Sequence, residues 1–194
     1  MEDYITAFFK KNSNSELVYH DLDHTQSVVS HVKEISKYYA LNKNDLFIVE
    51  SAAWFHDIGY LIQNEPTGHE LLGAELAAKY LKDNLVAGDI IAEVKACIMV
   101  TILPQNPQTL LQQILCDADL YHLGTSDLFM QDELIHKEVE FRIGHPIENR
   151  KWINGTIGLL NSHSYHTEYC QRMLNHQKRL NLNRFEMMLR NMNI

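Results

Sequence analysis

Residues 52–60 read AAWFHDIGY, so that a histidine and an aspartate directly follow four apolar residues. The apolar run predicts a buried helix, in which an unpaired imidazole or carboxylate is costly. Adjacent helical side chains point about 100° apart, so His56 and Asp57 share one bound ion only where the helix ends. Gly59 supplies such an end. The alternative interpretation of His56 is a core histidine that bonds a neighbouring carbonyl.

Helical periodicity extends outward from this stretch along nearly the whole chain. Apolar residues recur at three- and four-residue steps within 28–39, 72–80 and 90–98. Further helices are predicted for Thr109–Leu123 with Gly124 as its stop, from Ser126 or Asp127 to Ile143, for Glu148–Leu160 and for Thr167–Leu189. Asn44 is expected to cap the helix that ends near Phe55. No stretch alternates at period two long enough to predict a strand, and no linker or repeat is evident. The sequence therefore predicts one all-α domain.

Composition excludes several classes of protein. The chain has 194 residues, 45% hydrophobic content and a net charge of −8, which disfavours binding to a nucleic acid polymer. Three widely spaced cysteines fit no disulfide framework and indicate reduced thiols in a cytoplasmic protein. No apolar run approaches the roughly 20 residues of a membrane span, so no membrane partner is expected. Oligomeric state is not readable: Met187, Met188 and the long final helix offer a surface for a homodimer, but core packing against the bundle is the favoured interpretation.

Three further clusters combine histidine with acidic residues. His24 opens a predicted helix, and Asp119 lies in the apolar frame of another, with Asp117 nearby as a second acid. Together with His56 and Asp57, these residues supply two imidazoles and two carboxylates on apolar helix faces. Such a mixed nitrogen and oxygen set suits Mn, Fe, Co, Ni or Zn.

The ordered motifs resemble those of the HD-domain superfamily of metal-dependent phosphohydrolases. The resemblance rests on YHDLDHT (19–25), AAWFHDIGY (52–60), GHELLGAELAAKYL (68–81) and CDADLYHLG (116–124), and it extends from about Val18 to Phe185. It implies an HD-domain-like helical bundle of about eight or nine helices in a single domain, 1–194, with a core of about 18–125 and carboxy-terminal helices over 126–194.

The resemblance also implies a ligand set for one divalent ion, which could be Mg as well as a transition metal. Its members are His24, His56, Asp57 and Asp119. Asp117 is the alternative for the last position, because the DAD sequence allows either aspartate; the family's Ala-Asp-x-Leu pattern favours Asp119.

Two departures from the family pattern narrow this expectation. Val100-Thr101 stands where binuclear members commonly have a His-Thr pair, which favours one metal and leaves His69 free to contact substrate. Tyr60 stands where nucleotidases and alarmone hydrolases often have a glutamate. The next acids are Glu65 and Glu70.

Four residues are therefore assigned roles around the ion. His69 and Glu70 are expected to be catalytic, with surface positions at a helix start as the alternative. His20 and Arg142 are expected to bind substrate. The alternatives are a capping role beside Asp23 for His20 and a simple ion pair for Arg142.

The predicted function is hydrolysis of a phosphoester or phosphoanhydride, with a nucleotide as the expected small phosphorylated substrate and a metal-activated water as nucleophile. One alternative is a catalytically silent, metal-dependent nucleotide-binding sensor domain. A purely structural ion in a protein-interaction module is a third, more distant interpretation. The sequence identifies neither the metal nor the substrate.

Overall fold

The computed structural model describes residues 1–12, 14–62 and 67–192. These residues form nine α-helices and two 3-10 helices, and they contain no β-strand. The α-helices are α1 Glu2–Lys11, α2 Leu22–Tyr38, α3 Lys43–Phe55, α4 His69–Asp83, α5 Gly88–Met99, α6 Leu110–Asp119, α7 Leu128–Ile143, α8 Asn149–Ser162 and α9 Glu168–Asn191; the 3-10 helices are Ile58–Leu61 and Tyr121–Gly124. The prediction of an all-α fold with about eight or nine helices is confirmed.

The start of α3 differs from the prediction. Its N-cap is Asn42, whose side chain accepts the backbone N–H groups of Asn44 and Asp45. The predicted cap at Asn44 is therefore wrong by two residues. Asn42 and Asn44 are both good capping residues, and the helix uses the earlier one because that choice satisfies two otherwise free N–H donors.

The predicted helix from Thr109 to Leu123 is also wrong in its second half. Helix α6 ends at Asp119, and the chain continues as the second 3-10 helix, Tyr121–Gly124. At the break, the single hydroxyl proton of Tyr165 is shared between the carbonyls of Leu120 and Tyr121, at 3.3 and 3.2 Å. This bifurcated bond serves carbonyl groups that an unbroken helix would have used itself.

The main core forms around α3, whose second half, Ile48 to Phe55, is buried except at Glu50. Helices α2, α5 and α6 pack directly against it, and α4 packs on α5. Val32, Val49, Phe55 and Ile98 are fully buried there. A helix buried on most sides fixes its own carboxyl end firmly, and that end carries His56.

A smaller core lies between the second 3-10 helix, α7, α8 and α9. Its buried members are Leu120, Leu123, Leu128, Ile153, Leu160 and Phe185. Helix α9 reaches both cores, because Leu174 packs in the larger one and Phe185 in the smaller one. The long last helix therefore connects the larger core around α3 to the smaller core, against which α7 packs. Arg142 lies on α7.

The three cysteines are buried free thiols. Burial raises the pKa of the Cys97 thiol to about 12, so it stays protonated and unreactive near neutral pH. None of the helices in the described part of the chain combines the length and apolarity that a membrane crossing requires.

His163, in the connection between α8 and α9, makes stability depend on pH. Burial, aided by Lys178 and His166, lowers its pKa to about 3, and neither ring nitrogen has a hydrogen-bond partner among the described residues. The unfolded chain binds this proton near its ordinary pKa of about 6.5. The contribution of neutral His163 to the free energy of unfolding is therefore complete above about pH 6.5, and it is lost as the pH falls toward 3.

We expect His163→Gln, which cannot be protonated, to lose less unfolding free energy than the wild type between pH 7.5 and pH 5. Urea denaturation at several pH values measures this difference. Some acid sensitivity should remain, because burial also lowers the pKa of His122, to about 4. Equal losses in the two proteins would contradict the assignment.

Candidate metal centre

Four side chains from separate parts of the chain meet at one point. His24 comes from the first turn of α2, His56 and Asp57 follow the end of α3, and Asp119 ends α6. One donor atom from each lies within 4.8 Å of the others. The structure therefore brings together the four residues that the sequence indicated.

Local helix geometry places the two histidines. The Asp21 carboxylate caps α2 by accepting the backbone N–H of His24 at 2.8 Å, which fixes the first turn. Helix α3 ends at Phe55, so that His56 and Asp57 leave the helix and can face one centre. His56 Nδ1 donates to the Ala53 carbonyl at 2.8 Å.

The free atoms of this cluster fit a divalent cation. His56 Nδ1 is engaged, so its Nε2 is left to accept or to coordinate. The Nε2 atoms of His24 and His56 lie 3.2 and 3.0 Å from Asp57 Oδ2, yet all three atoms are buried without an aligned hydrogen bond. Buried polar atoms are seldom left unsatisfied, and a shared cation would satisfy them together.

Electrostatics at the cluster favours positive charge. Burial acts to lower the pKa of His56, but the carboxylates of Asp57 and Asp119 outweigh it and raise that pKa well above the usual value. Burial likewise acts to raise the pKa of Asp57, but His56 and His20 hold it well below its usual range. The same negative potential would stabilise a bound metal ion.

The two aspartates of the DAD sequence have different surroundings. The Asp117 carboxylate is fully buried and accepts the backbone N–H groups of His166 and Thr167, both at 2.8 Å, and the Thr167 hydroxyl at 2.5 Å. It thereby holds the start of α9. Asp119 Oδ1 instead lies 3.8 and 3.6 Å from Nε2 of His24 and His56. The geometry thus leaves Asp119 for the ion.

His69 and Glu70 open α4 and lie against the cluster. His69 Nε2 is 3.5 Å from Asp57 Oδ1 and 3.3 Å from Glu70 Oε1. Both residues are buried, so the alternative of solvated surface positions is wrong. Glu65, the other acid considered near this site, lies outside the described residues.

An aromatic and charged group borders the cluster on the same side. Tyr60 stacks on the His69 ring with centroids 3.7 Å apart, and the Arg142 guanidinium lies 3.9 Å above the Tyr60 ring. His20 also contacts Tyr60, with ring centroids 4.2 Å apart. Tyr60, which replaces the glutamate of related enzymes, therefore connects three of the predicted site residues.

Glu138 of α7 fixes His20 and Arg142. Its Oε1 lies 2.6 Å from His20 Nδ1 and accepts from Arg142 Nε at 3.2 Å, and its Oε2 accepts the backbone N–H groups of Tyr19 and His20. Burial opposes ionisation, but these hydrogen bonds and the charge of His20 lower the pKa of Glu138 to about 2. His20 does not cap Asp23, and Arg142 is both an ion-pair partner and a neighbour of the site.

Two residues near the centre were not found from the sequence. Glu138 is a buried acid on a helix with little amphipathic pattern, and its only local signal is its four-residue spacing from Arg142. His122 is the second: it lies with Asp119 on the wall of one cavity, and its Nδ1 is 3.2 Å from the Tyr19 hydroxyl. Its position depends on the break after α6, which periodicity did not reveal.

Comparisons with known proteins agree with this architecture. The family model for the HD domain matches residues 21–124. A crystal structure of a predicted HD superfamily hydrolase from an uncultured Thermotogales bacterium superposes with a TM-score of 0.64 at 19% identity, covering 98% of this chain and 90% of that one. At that identity the likeness is one of fold. No curated protein matches the chain.

Proposed function

This chain belongs to the HD-domain family, and from that premise we propose that it is a metal-dependent phosphohydrolase acting on a phosphoester or phosphoanhydride, with a nucleotide as the expected substrate. One observation carries the proposal. Four donor atoms from His24, His56, Asp57 and Asp119 converge within 4.8 Å, and three of them are buried without a hydrogen-bond partner.

These four residues would hold one divalent ion. A bound ion of this kind lowers the pKa of a coordinated water and polarises a phosphoryl group. The ring orientation of His56 is set in advance by its bond to the Ala53 carbonyl, and the capped first turn of α2 fixes the backbone of His24. Preset ligand orientation strengthens metal binding.

His69 and Glu70 are proposed to hold a proton and to transfer it during hydrolysis. Their facing atoms, His69 Nε2 and Glu70 Oε1, lie 3.3 Å apart, so that a proton can be held between them beside Asp57. Tyr60 fixes the His69 ring by stacking on it. Such a pair can protonate a leaving oxygen, a contribution of typically 10²–10⁴-fold in general acid catalysis.

Arg142 and His20 are proposed to bind the substrate phosphate. The Arg142 side chain is only 5% exposed, and its Nη2 has no hydrogen-bond partner among the described residues. Glu138 and the Tyr60 ring fix the guanidinium on two sides. A preoriented guanidinium with free donors matches the geometry of a phosphate.

We expect Arg142→Gln to raise KM for a phosphorylated substrate by about 10- to 100-fold, the loss of one or two charge-assisted hydrogen bonds, with a smaller change in kcat. Steady-state kinetics measures both constants. Arg184→Gln is the matched control, because Arg184 also stacks on an aromatic ring, that of Phe129, but in the smaller core. Equal effects of the two substitutions would argue against phosphate binding by Arg142.

The function is tested by elemental analysis of the purified protein, followed by chromatographic detection of the hydrolysis products of mono-, cyclic and dinucleotides. The stripped protein is reloaded with Mn, Co, Ni or Mg. About one ion per chain with metal-restored turnover supports the hydrolase. A bound metal, thermal stabilisation by a nucleotide and no hydrolysis product would instead favour the sensor.

A further inference from the structure

A cavity of about 460 Å³ opens directly onto the candidate metal centre. His24 and Asp119 form part of its wall, beside the second 3-10 helix and the first turns of α7. The His24 side chain is only 10% exposed, and its Nε2 has no hydrogen-bond partner. The cavity therefore adjoins the point where the reaction would occur, and its volume is typical of small-molecule sites.

The charged groups of this cavity are all acidic. Besides Asp119, its wall contains Asp21, Asp23 and Asp127, and among the lining residues that the structure describes there is no lysine or arginine. Asp21 is engaged in capping α2, whereas Asp23 and Asp127 are exposed at the rim. An anionic group that entered this cavity would meet carboxylates without a compensating side-chain cation.

The Arg142 guanidinium borders the centre elsewhere. Arg142 and His20 are grouped around Tyr60 and Glu138, and none of these four residues lines the cavity. The acidic cavity on one side of the centre and the Arg142 guanidinium on another would together orient a phosphoester. Its phosphoryl group would face Arg142, and the rest of the molecule would extend into the cavity.

The rest of the wall includes an apolar and aromatic part beside the polar residues Ser27, Thr125 and Gln131. The His31 ring stacks on Tyr121 with centroids 3.7 Å apart, and Val28, Met130 and Leu134 complete the apolar part. This wall suits a ring or an alkyl body rather than a chain of phosphates.

We propose that this cavity, called here the leaving-group cavity, receives the alcohol half of a phosphomonoester and selects alcohols that are neutral or cationic. The inference rests on the proposed function and narrows it. Nucleosides and amino alcohols share the required chemistry, whereas polyphosphates and dinucleotides would place additional negative charge beside the exposed carboxylates of Asp23 and Asp127.

The kinetic test compares AMP, phosphocholine, ATP and a dinucleoside tetraphosphate on the Mn-loaded protein. We expect kcat/KM for AMP or phosphocholine to exceed that for both polyphosphates by about tenfold or more. The double variant Asp23→Asn/Asp127→Asn should reduce this ratio several-fold. The control Asp83→Asn/Glu168→Gln removes two exposed charges that do not line the cavity and should leave the ratio unchanged.

A binding test separates the cavity from the chemistry. In saturation-transfer NMR on metal-stripped protein, adenosine or choline should receive saturation and ATP should not. Transfer to adenosine distinguishes nucleosides from amino alcohols, for which choline is the probe. Ser27→Arg, at an exposed position in the cavity wall, should abolish the transfer.

The outcomes distinguish the two proposals. Hydrolysis with ATP or the dinucleotide preferred, and no change in the Asp23→Asn/Asp127→Asn variant, would overturn the cavity inference and leave the hydrolase intact. No hydrolysis product from any substrate, with Ser27-dependent transfer to adenosine or choline, would overturn the hydrolase and support the cavity. Transfer that persists in Ser27→Arg would overturn the cavity inference in either case.

Discussion

Asp119→Asn is expected to lose its divalent ion and nearly all turnover, whereas Asp117→Asn keeps the ion and loses stability. The substitution at Asp119 removes a charged oxygen that lies 3.8 and 3.6 Å from Nε2 of His24 and His56. Removing one ligand charge from a four-residue site should weaken metal binding by on the order of 100-fold or more and turnover by about 10²–10³. Metal content by elemental analysis and phosphate release by the reloaded protein measure the two effects.

Asp117→Asn is the matched control, because it is the same chemical change two residues away. Its carboxylate accepts three hydrogen bonds from His166 and Thr167, and an amide cannot accept all of them. The free energy of unfolding should fall by about 2 kcal/mol. Metal loss in Asp117→Asn with retention in Asp119→Asn would reverse the assignment.

The features predicted correctly from the sequence are those determined by residues that lie close together along the chain. The apolar run before His56 predicted the buried helix, which ends at Phe55. Gly59 lies within the first 3-10 helix without a positive φ, so its predicted role as the helix stop is wrong. The four-ligand set was indicated by motif resemblance. Both depend on residues that are close along the chain.

The features missed depend on contacts between distant segments. Asp117 holds Thr167, 50 residues later, and Glu138 holds the backbone of Tyr19, 119 residues earlier. Neither contact leaves a periodic trace in the sequence. The end of α6 is of the same kind, because it is stabilised by the hydroxyl of Tyr165.

The contacts of Tyr60 bear on whether the glutamate absent from this position argues for an enzyme or for a sensor. In the sequence alone, the absence of an acid after the His-Asp pair is compatible with a silent sensor. In the structure Tyr60 packs between His69 and Arg142, and Glu70 lies 3.3 Å from His69 Nε2. An acid is thus present beside the cluster on another element, which supports the enzyme over the sensor.

Gly59→Ala is the second substitution with a large expected effect. A Cβ at Gly59 would lie 2.0 Å from the His69 carbonyl oxygen and 2.7 and 2.8 Å from its C and Cα atoms. These are backbone atoms at the start of α4, so relief requires that α4 move away from the first 3-10 helix. Overpacking of this kind costs about 3 kcal/mol of unfolding free energy, at the upper end of measured values.

The same displacement should reach the metal centre, because His69 Nε2 lies 3.5 Å from Asp57 Oδ1 and Asp57 directly precedes this 3-10 helix. We therefore expect Gly59→Ala to lower both the unfolding midpoint in urea and the affinity for the ion. Gly158→Ala is the control. Gly158 lies inside α8 with no atom within 4 Å of a Cβ, and alanine there should stabilise the protein by about 0.5–1 kcal/mol. If Gly59→Ala were as stable as the wild type and bound metal equally well, the close packing of α4 on this turn would not be what positions His69.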